Sequence, residues 1–210
     1  MVAPATRAER AVAAAGGLGF VTLAAMVAAG ALTRIDRYAL RHLMPWAQPP
    51  SGGWLHLSSI FLPETRPTLG GSLVALWTYP ASPFVSLLVV ASCVFLLDRR
   101  GDCRAAVAAG ALWVVANVVE VIAKAAIARP QVGTTSFHHS YPSGHTVRAC
   151  VVAAVVGWTW RRAGPAATVW ALLVPVALVL VGDHTPSDVA GGLLLSACLV
   201  AAARPSARRA

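Results

Sequence analysis

Two short stretches of this chain set histidines where chemistry can begin: Tyr141-Pro142-Ser143-Gly144-His145 and His184-Thr185-Pro186-Ser187-Asp188. In the first, Pro142 cannot continue a helix and Ser143-Gly144 can open one, leaving unpaired backbone N–H groups pointing outward. A helix start of that kind attracts anions. In the second, Thr185 suits an N-cap, Pro186 the first helical position, and Asp188 the acid of a capping box. The chemistry that fits is phosphoryl transfer. A neutral imidazole is a competent nucleophile toward phosphorus, and His184 is the candidate. Asp188 would accept the other ring N–H, fixing the tautomer and stabilising positive charge on a phosphohistidine. His145 would protonate the leaving oxygen and then activate water. Lys124, Arg129, Arg148 and the Ser143 and Gly144 amides would hold the non-bridging oxygens, with the Ser143 hydroxyl as a further donor. No acidic cluster offers a divalent-ion site, so neither a metal nor a cofactor is expected.

These residues sit at the mouths of long apolar segments. Of the 210 residues, 57% are hydrophobic and 12% charged, and the mean hydropathy is +0.67. An ordinary soluble domain has about a quarter of its residues charged. A bilayer-spanning helix needs roughly 20 mostly apolar residues, and the sequence predicts six spans, near 11–33, 80–98, 105–128, 144–160, 165–182 and 188–203. The expected fold is therefore an all-α integral membrane protein, a six-transmembrane-helix bundle forming a single domain over residues 1–210. An interfacial or extracytoplasmic segment is expected between helices 1 and 2. There, Ile35-Asp36-Arg37-Tyr38-Ala39-Leu40-Arg41 reads as a short amphipathic piece lying in the interface. The uncharged run from Pro67 is too long for one straight helix and is interrupted by Pro80 and Pro83. Its first half is open between interfacial, re-entrant and kinked-helix readings.

Asn117, Glu120 and Lys124 share one face of the third span. An ionisable group in a span costs roughly 2.5–3.5 kcal/mol on insertion scales, so that face should look inward. The net charge of +9 does not mark a nucleic-acid binder, because the basic residues are scattered between spans with no basic, aromatic-interleaved surface to hold one. The cysteines Cys93, Cys103, Cys150 and Cys198 read as packing residues rather than a disulfide framework. One set of span ends carries Arg7, Arg10, Arg99, Arg100, Arg104, Arg161, Arg162, Arg204, Arg208 and Arg209. The positive-inside rule makes that side cytoplasmic. The expectation is a multi-pass protein of the cell membrane, both termini cytoplasmic, with Lys124, His145 and His184 meeting at the extracytoplasmic face.

The half from Lys124 to Gly192 resembles the membrane branch of the type-2 phosphatidic acid phosphatase superfamily. That family carries a Lys with a downstream Arg-Pro, a Pro-Ser-Gly-His, and a Ser-Arg followed by a His and an Asp. Here these stand as Lys124…Arg129-Pro130, Pro142-Ser143-Gly144-His145 and His184…Asp188. The resemblance implies the same division of roles, without a metal. Two departures stand out. The first motif's arginine position is Gln131, with Arg129 two residues earlier, and the Ser-Arg of the third motif falls on Ala177 and Leu178. Arginine stabilisation of a transferring phosphoryl group is worth roughly 10³–10⁵ in rate, so Arg129 and Arg148 are the candidate substitutes. Arg148 lies one helical turn after His145 and shares its face.

The leading functional reading is a metal-independent lipid phosphate or diphosphate phosphatase. Its substrate's tail, whether polyprenyl diphosphate or phosphatidyl phosphate, would stay in the bilayer. A phosphotransferase using the same intermediate is the second reading. A catalytically inactive, phospholipid-binding relative is the third, and the displaced arginines are its main support. Plainer roles exist for each residue: Asp188 as a helix cap, Lys124 as the partner of Glu120, and Arg148 as an interfacial snorkelling side chain.

Overall fold

The computed structural model describes residues 6–43, 69–130, 132 and 140–205. Every regular element among them is helical. Helix α1 runs Arg7–Ala28. It starts earlier than the apolar run suggests because Thr6 and Glu9 form a reciprocal cap: Glu9 N–H donates to the Thr6 hydroxyl at 3.2 Å, and Thr6 N–H donates to the Glu9 carboxylate at 2.8 Å. A short turn leads into α2, Thr33–His42. This is the expected amphipathic piece: Asp36 and Ala39 are buried while Arg34, Arg37 and Arg41 are exposed. The Trp46, Trp54 and His56 region lies outside the described residues, as do His138, His139 and Gln131.

Helix α3, Leu69–Thr78, passes through a 3₁₀ turn, Tyr79–Ala81, into α4, Pro83–Arg99. The two segments meet at 42°. Pro83 has no N–H to continue the ladder, and Ser82 caps the new helix instead, accepting from Val85 N–H at 3.4 Å. The bend falls at the interruption that Pro80 and Pro83 announce, and it makes the pair either a broken span or a re-entrant loop. Four more helices follow: α5, Cys103–Ala126; α6, Gly144–Thr159; α7, Gly164–Leu180; and α8, Pro186–Ala203.

The bundle is built around α6. Val147, Val151 and Val155 pack against Val90, Cys93 and Leu97 of α4 and against Ala105, Ala109, Leu112 and Ala116 of α5. On its other side, Ala149 and Ala153 meet Ala171, Val174 and Leu178 of α7. Small residues at these contacts let helices approach closely, as membrane bundles require. Large apolar side chains point the other way: Val107, Val114, Val118, Val121 and Ile122 on α5, and Val169, Leu172, Leu173 and Val176 on α7, are all exposed. A surface so apolar suits lipid rather than water.

Helices α1, α5 and α8 are each long and apolar enough to cross a bilayer, and α3–α4 makes a fourth if the bent pair is one span. Helix α7 is apolar but has 17 residues, about 26 Å of rise. Six helices therefore occupy the six expected places, and three or four of them satisfy the length requirement. The basic ends gather at one end of the bundle: Arg100 donates to the Thr159 carbonyl at the close of α6, and Arg204 lies 3.6 Å from Glu9 of α1. The two histidine motifs lie at the other.

Candidate functional site

The site is assembled from three helix termini. Helix α6 opens at Ser143, whose hydroxyl accepts from Thr146 N–H at 3.4 Å and from the Thr146 hydroxyl at 3.0 Å. Accepting leaves the Ser143 proton available to donate. Ser143 N–H itself donates to the Asp188 carbonyl at 3.0 Å, which fastens the start of α6 to the first turn of α8. That seam closes because α8 has no side chain there. A Cβ on Gly191 would lie 2.4 Å from Cε2 of Tyr141. The Tyr141 ring fills the space, stacks on Phe20 of α1 at 5.8 Å between centroids, and donates its hydroxyl to the Phe20 carbonyl at 3.4 Å. Burial, and behind it the charge of Asp188, push the Tyr141 phenol above its ordinary range, so it remains a donor.

Asp188 is the hub. Fully buried, it accepts Thr185 N–H on Oδ2 at 3.0 Å, the acid's half of the predicted capping box. The same oxygen stands 3.6 Å from His184 Nδ1. Oδ1 takes a short ion pair with Arg129 Nη1. His184 Nδ1 and Arg129 Nε are the buried side-chain nitrogens without a hydrogen-bond partner among the described residues. At 3.6 Å the imidazole and Asp188 are near-aligned rather than bonded, and such pairs commonly tighten only in the reacting complex.

Arg129 reaches Asp188 because α5 ends at Ala126 and the chain turns inward. Its other terminal nitrogen pairs with Asp36 of α2 at 2.5 Å, and Nη1 also donates to the Ser187 hydroxyl at 3.1 Å. Ser187 in turn donates to Asp36 from both its N–H, at 3.2 Å, and its hydroxyl, at 2.7 Å. Arg129 is thus clamped between two carboxylates. Its place is behind Asp188, with its terminal nitrogens already engaged. Asp36 and Ser187 were not singled out from sequence. The available signal was a lone acid in an otherwise basic amphipathic helix, and it named no partner.

Arg148 occupies the opposite wall. Nε donates to the Ala81 carbonyl at 2.8 Å, and Nη1 donates to Glu120 at 2.8 Å and to the Asn117 side-chain oxygen at 3.3 Å. The inward-looking face of α5 is therefore satisfied by one arginine across the bundle. Lys124 pairs with the other oxygen of Glu120 at 2.6 Å and keeps a partly exposed side chain. His145, half-buried on the first turn of α6, lies within electrostatic reach of Arg148, His184 and Lys124. All eight predicted site residues are thus at one end of the bundle, in two groups: His184, Asp188 and Arg129 on one side, and Ser143, Gly144, His145, Arg148 and Lys124 on the other.

The sequence model of the PAP2 superfamily matches residues 51–209. This chain belongs to the PAP2 superfamily. The fold agrees: a solved structure described as the first transmembrane PAP2 type phosphatidylglycerolphosphate phosphatase from Bacillus subtilis superposes with a TM-score of 0.66. It is 20% identical, over 91% of this chain and 94% of that one. Among curated proteins none matches. Within this PAP2 member, the third-motif position filled by Leu178 is a core residue packed under α6, so no side chain from there enters the site. Arg148, on α6 itself, reaches Glu120, whose carboxylate lies against Gly144 at the head of that helix.

Proposed function

We propose that this membrane PAP2 protein is a phosphatase of lipid phosphates or diphosphates, working through a phosphohistidine on His184 without a metal. The observation that carries the reading is the alignment of His184 Nδ1 with an Asp188 carboxylate locked from behind by Arg129. A carboxylate so placed holds Nδ1 protonated and leaves Nε2 with its lone pair toward substrate. Nε2 attacks phosphorus as the bond to the lipid oxygen breaks, and His145 delivers the proton that oxygen needs. In the second step His145 removes a proton from water, the water oxygen bonds to phosphorus, and the phosphorus–nitrogen bond breaks to restore His184. Lys124, Arg148, and the Ser143 and Gly144 donors would carry the charge on the non-bridging oxygens. The cations around the site supply the role a metal would otherwise fill.

A site at the helix mouths suits a substrate whose headgroup reaches the interface while its tail stays in lipid. Sorting of the basic ends to the opposite end of the bundle supports an extracytoplasmic site in the cell membrane, with both termini cytoplasmic. Full span count and topology follow from the same reading, with α6 and α7 as the two short spans.

The test is phosphate release by the purified protein in detergent with chelator present, over a panel of lipid phosphates and diphosphates. Wild type is expected to release phosphate, and His184→Ala to lose at least 10³-fold, on the order of what a covalent nucleophile contributes. Release that survives in the variant, or that chelator abolishes, overturns the mechanism. Adding an acceptor lipid alcohol separates hydrolysis from transfer, because both use one intermediate.

A further inference from the structure

Glu120 is a buried acid placed among the groups that the phosphatase reading assigns to phosphate. Oε1 is 2.6 Å from Lys124 Nζ and Oε2 is 2.8 Å from Arg148 Nη1. A Cβ on Gly144 would lie 2.2 Å from Oε1 and 2.6 Å from the carboxyl carbon. The carboxylate is therefore pressed against the backbone of the first residue of α6, beside His145. The two oxygens of one anion thus touch Lys124, Arg148 and the head of α6 together, which is the set of contacts two non-bridging phosphate oxygens would make.

The orientation of the two cations does not rest on the acid alone. Arg148 is already held by the Ala81 carbonyl and the Asn117 side chain, and Lys124 keeps 29% of its side chain exposed to solvent. The absence of a side chain at Gly144 is what lets the carboxylate come so close to the helix start, where anions are favoured.

We propose that the Glu120 carboxylate is a built-in occupant of the phosphate cradle, which an incoming phosphate group displaces from Lys124, Arg148 and the head of α6. The inference rests on the phosphatase reading and adds a selection rule to it. Only a ligand carrying more negative charge than one carboxylate gains by the exchange, which favours phosphate dianions and diphosphates over monoanionic phosphodiesters. When the lipid product has left, the carboxylate competes with inorganic phosphate for the cradle and so weakens product inhibition.

The experiment uses the full chain in detergent with inorganic phosphate as probe, measuring its dissociation constant and its inhibition of lipid-phosphate hydrolysis. Glu120→Gln keeps the shape and removes the competing charge, and is expected to bind phosphate roughly tenfold tighter, with stronger product inhibition. Arg148→Ala is expected to bind it more weakly. A Glu120→Gln protein that binds phosphate no tighter than an active wild type reduces Glu120 to a prop for the two cations and overturns the proposal. A wild type that neither binds phosphate nor hydrolyses any lipid phosphate overturns the underlying reading instead. A measurement on the wild type guards against a variant that fails to fold. The chain has three glutamates, Glu9, Glu64 and Glu120, so carboxyl-labelled glutamate gives an infrared difference spectrum simple enough to assign. Displacement predicts a shifted carboxylate band on adding phosphate, and an unchanged band contradicts it.

Discussion

At the scale of single residues, the proposed mechanism gives Arg129 a role at second hand, behind Asp188. Arg129 holds Asp188 on one side and Asp36 on the other, so under that mechanism Asp36, on a helix of its own, is proposed as a positioning residue for His184. Replacing Asp36 by Asn breaks one arm of this buried triad and leaves Arg129 paired with Asp188 alone. Breaking one side of a buried pair costs about 3–5 kcal/mol, and the lower end is expected because Asp188 remains. Denaturant unfolding in micelles reads this cost. A positioning role further predicts that kcat falls while KM stays near its wild-type value, since Asp36 touches Asp188's partner and not the phosphate cradle. A fall in KM-dependent binding with kcat intact would contradict it. The sequence placed Asp36 in an amphipathic helix but could not pair it, because its partners Arg129 and Ser187 lie 93 and 151 positions away.

Among the elements, the junction of α6 and α8 ties the helix start that carries His145 to the first turn that carries Asp188. Ser143 N–H bonds the Asp188 carbonyl, and Gly191 leaves room for the Tyr141 ring. Gly191→Ala would drive a methyl into that ring, a rigid neighbour stacked on Phe20. Overpacking of this kind costs about 1–3 kcal/mol, and a lowered melting temperature with reduced turnover is the expected result. A fully stable and active Gly191→Ala protein would mean the seam yields easily and does not set the site. The capping pattern at Thr185-Pro186-Ser187-Asp188 was legible from local rules, because caps are decided within four residues. The bend before α4 was legible only in part: Pro80 and Pro83 announced an interruption, while its angle depends on how α3 packs against α7.

For the whole molecule, the basic ends and the histidine ends separate cleanly, which makes topology testable with a native thiol. Cys103 is exposed at the basic end, while Cys93 is buried. A membrane-impermeant maleimide applied to intact cells is expected to spare Cys103 and to label it once the membrane is opened. A cysteine introduced at Asp183, exposed beside His184, is expected to react before opening. The reverse order would place the site in the cytoplasm.

What the sequence determined by itself is what depends on short range or on summed composition. Apolar run lengths demanded a bilayer, Pro-Ser-Gly and Thr-Pro-Ser-Asp demanded helix starts, and the types of His145, His184, Asp188 and Lys124 restricted the chemistry. Glu120 and Asn117 were read correctly as an inward face, because a buried charge in lipid needs a partner. Only the tertiary structure decided which partners they took. It sent Arg129 to two acids behind Asp188, left Arg148 at the head of α6, and put the Glu120 carboxylate where phosphate is proposed to bind. Each of those outcomes depends on distances between helices far apart in the chain, which local sequence rules do not reach.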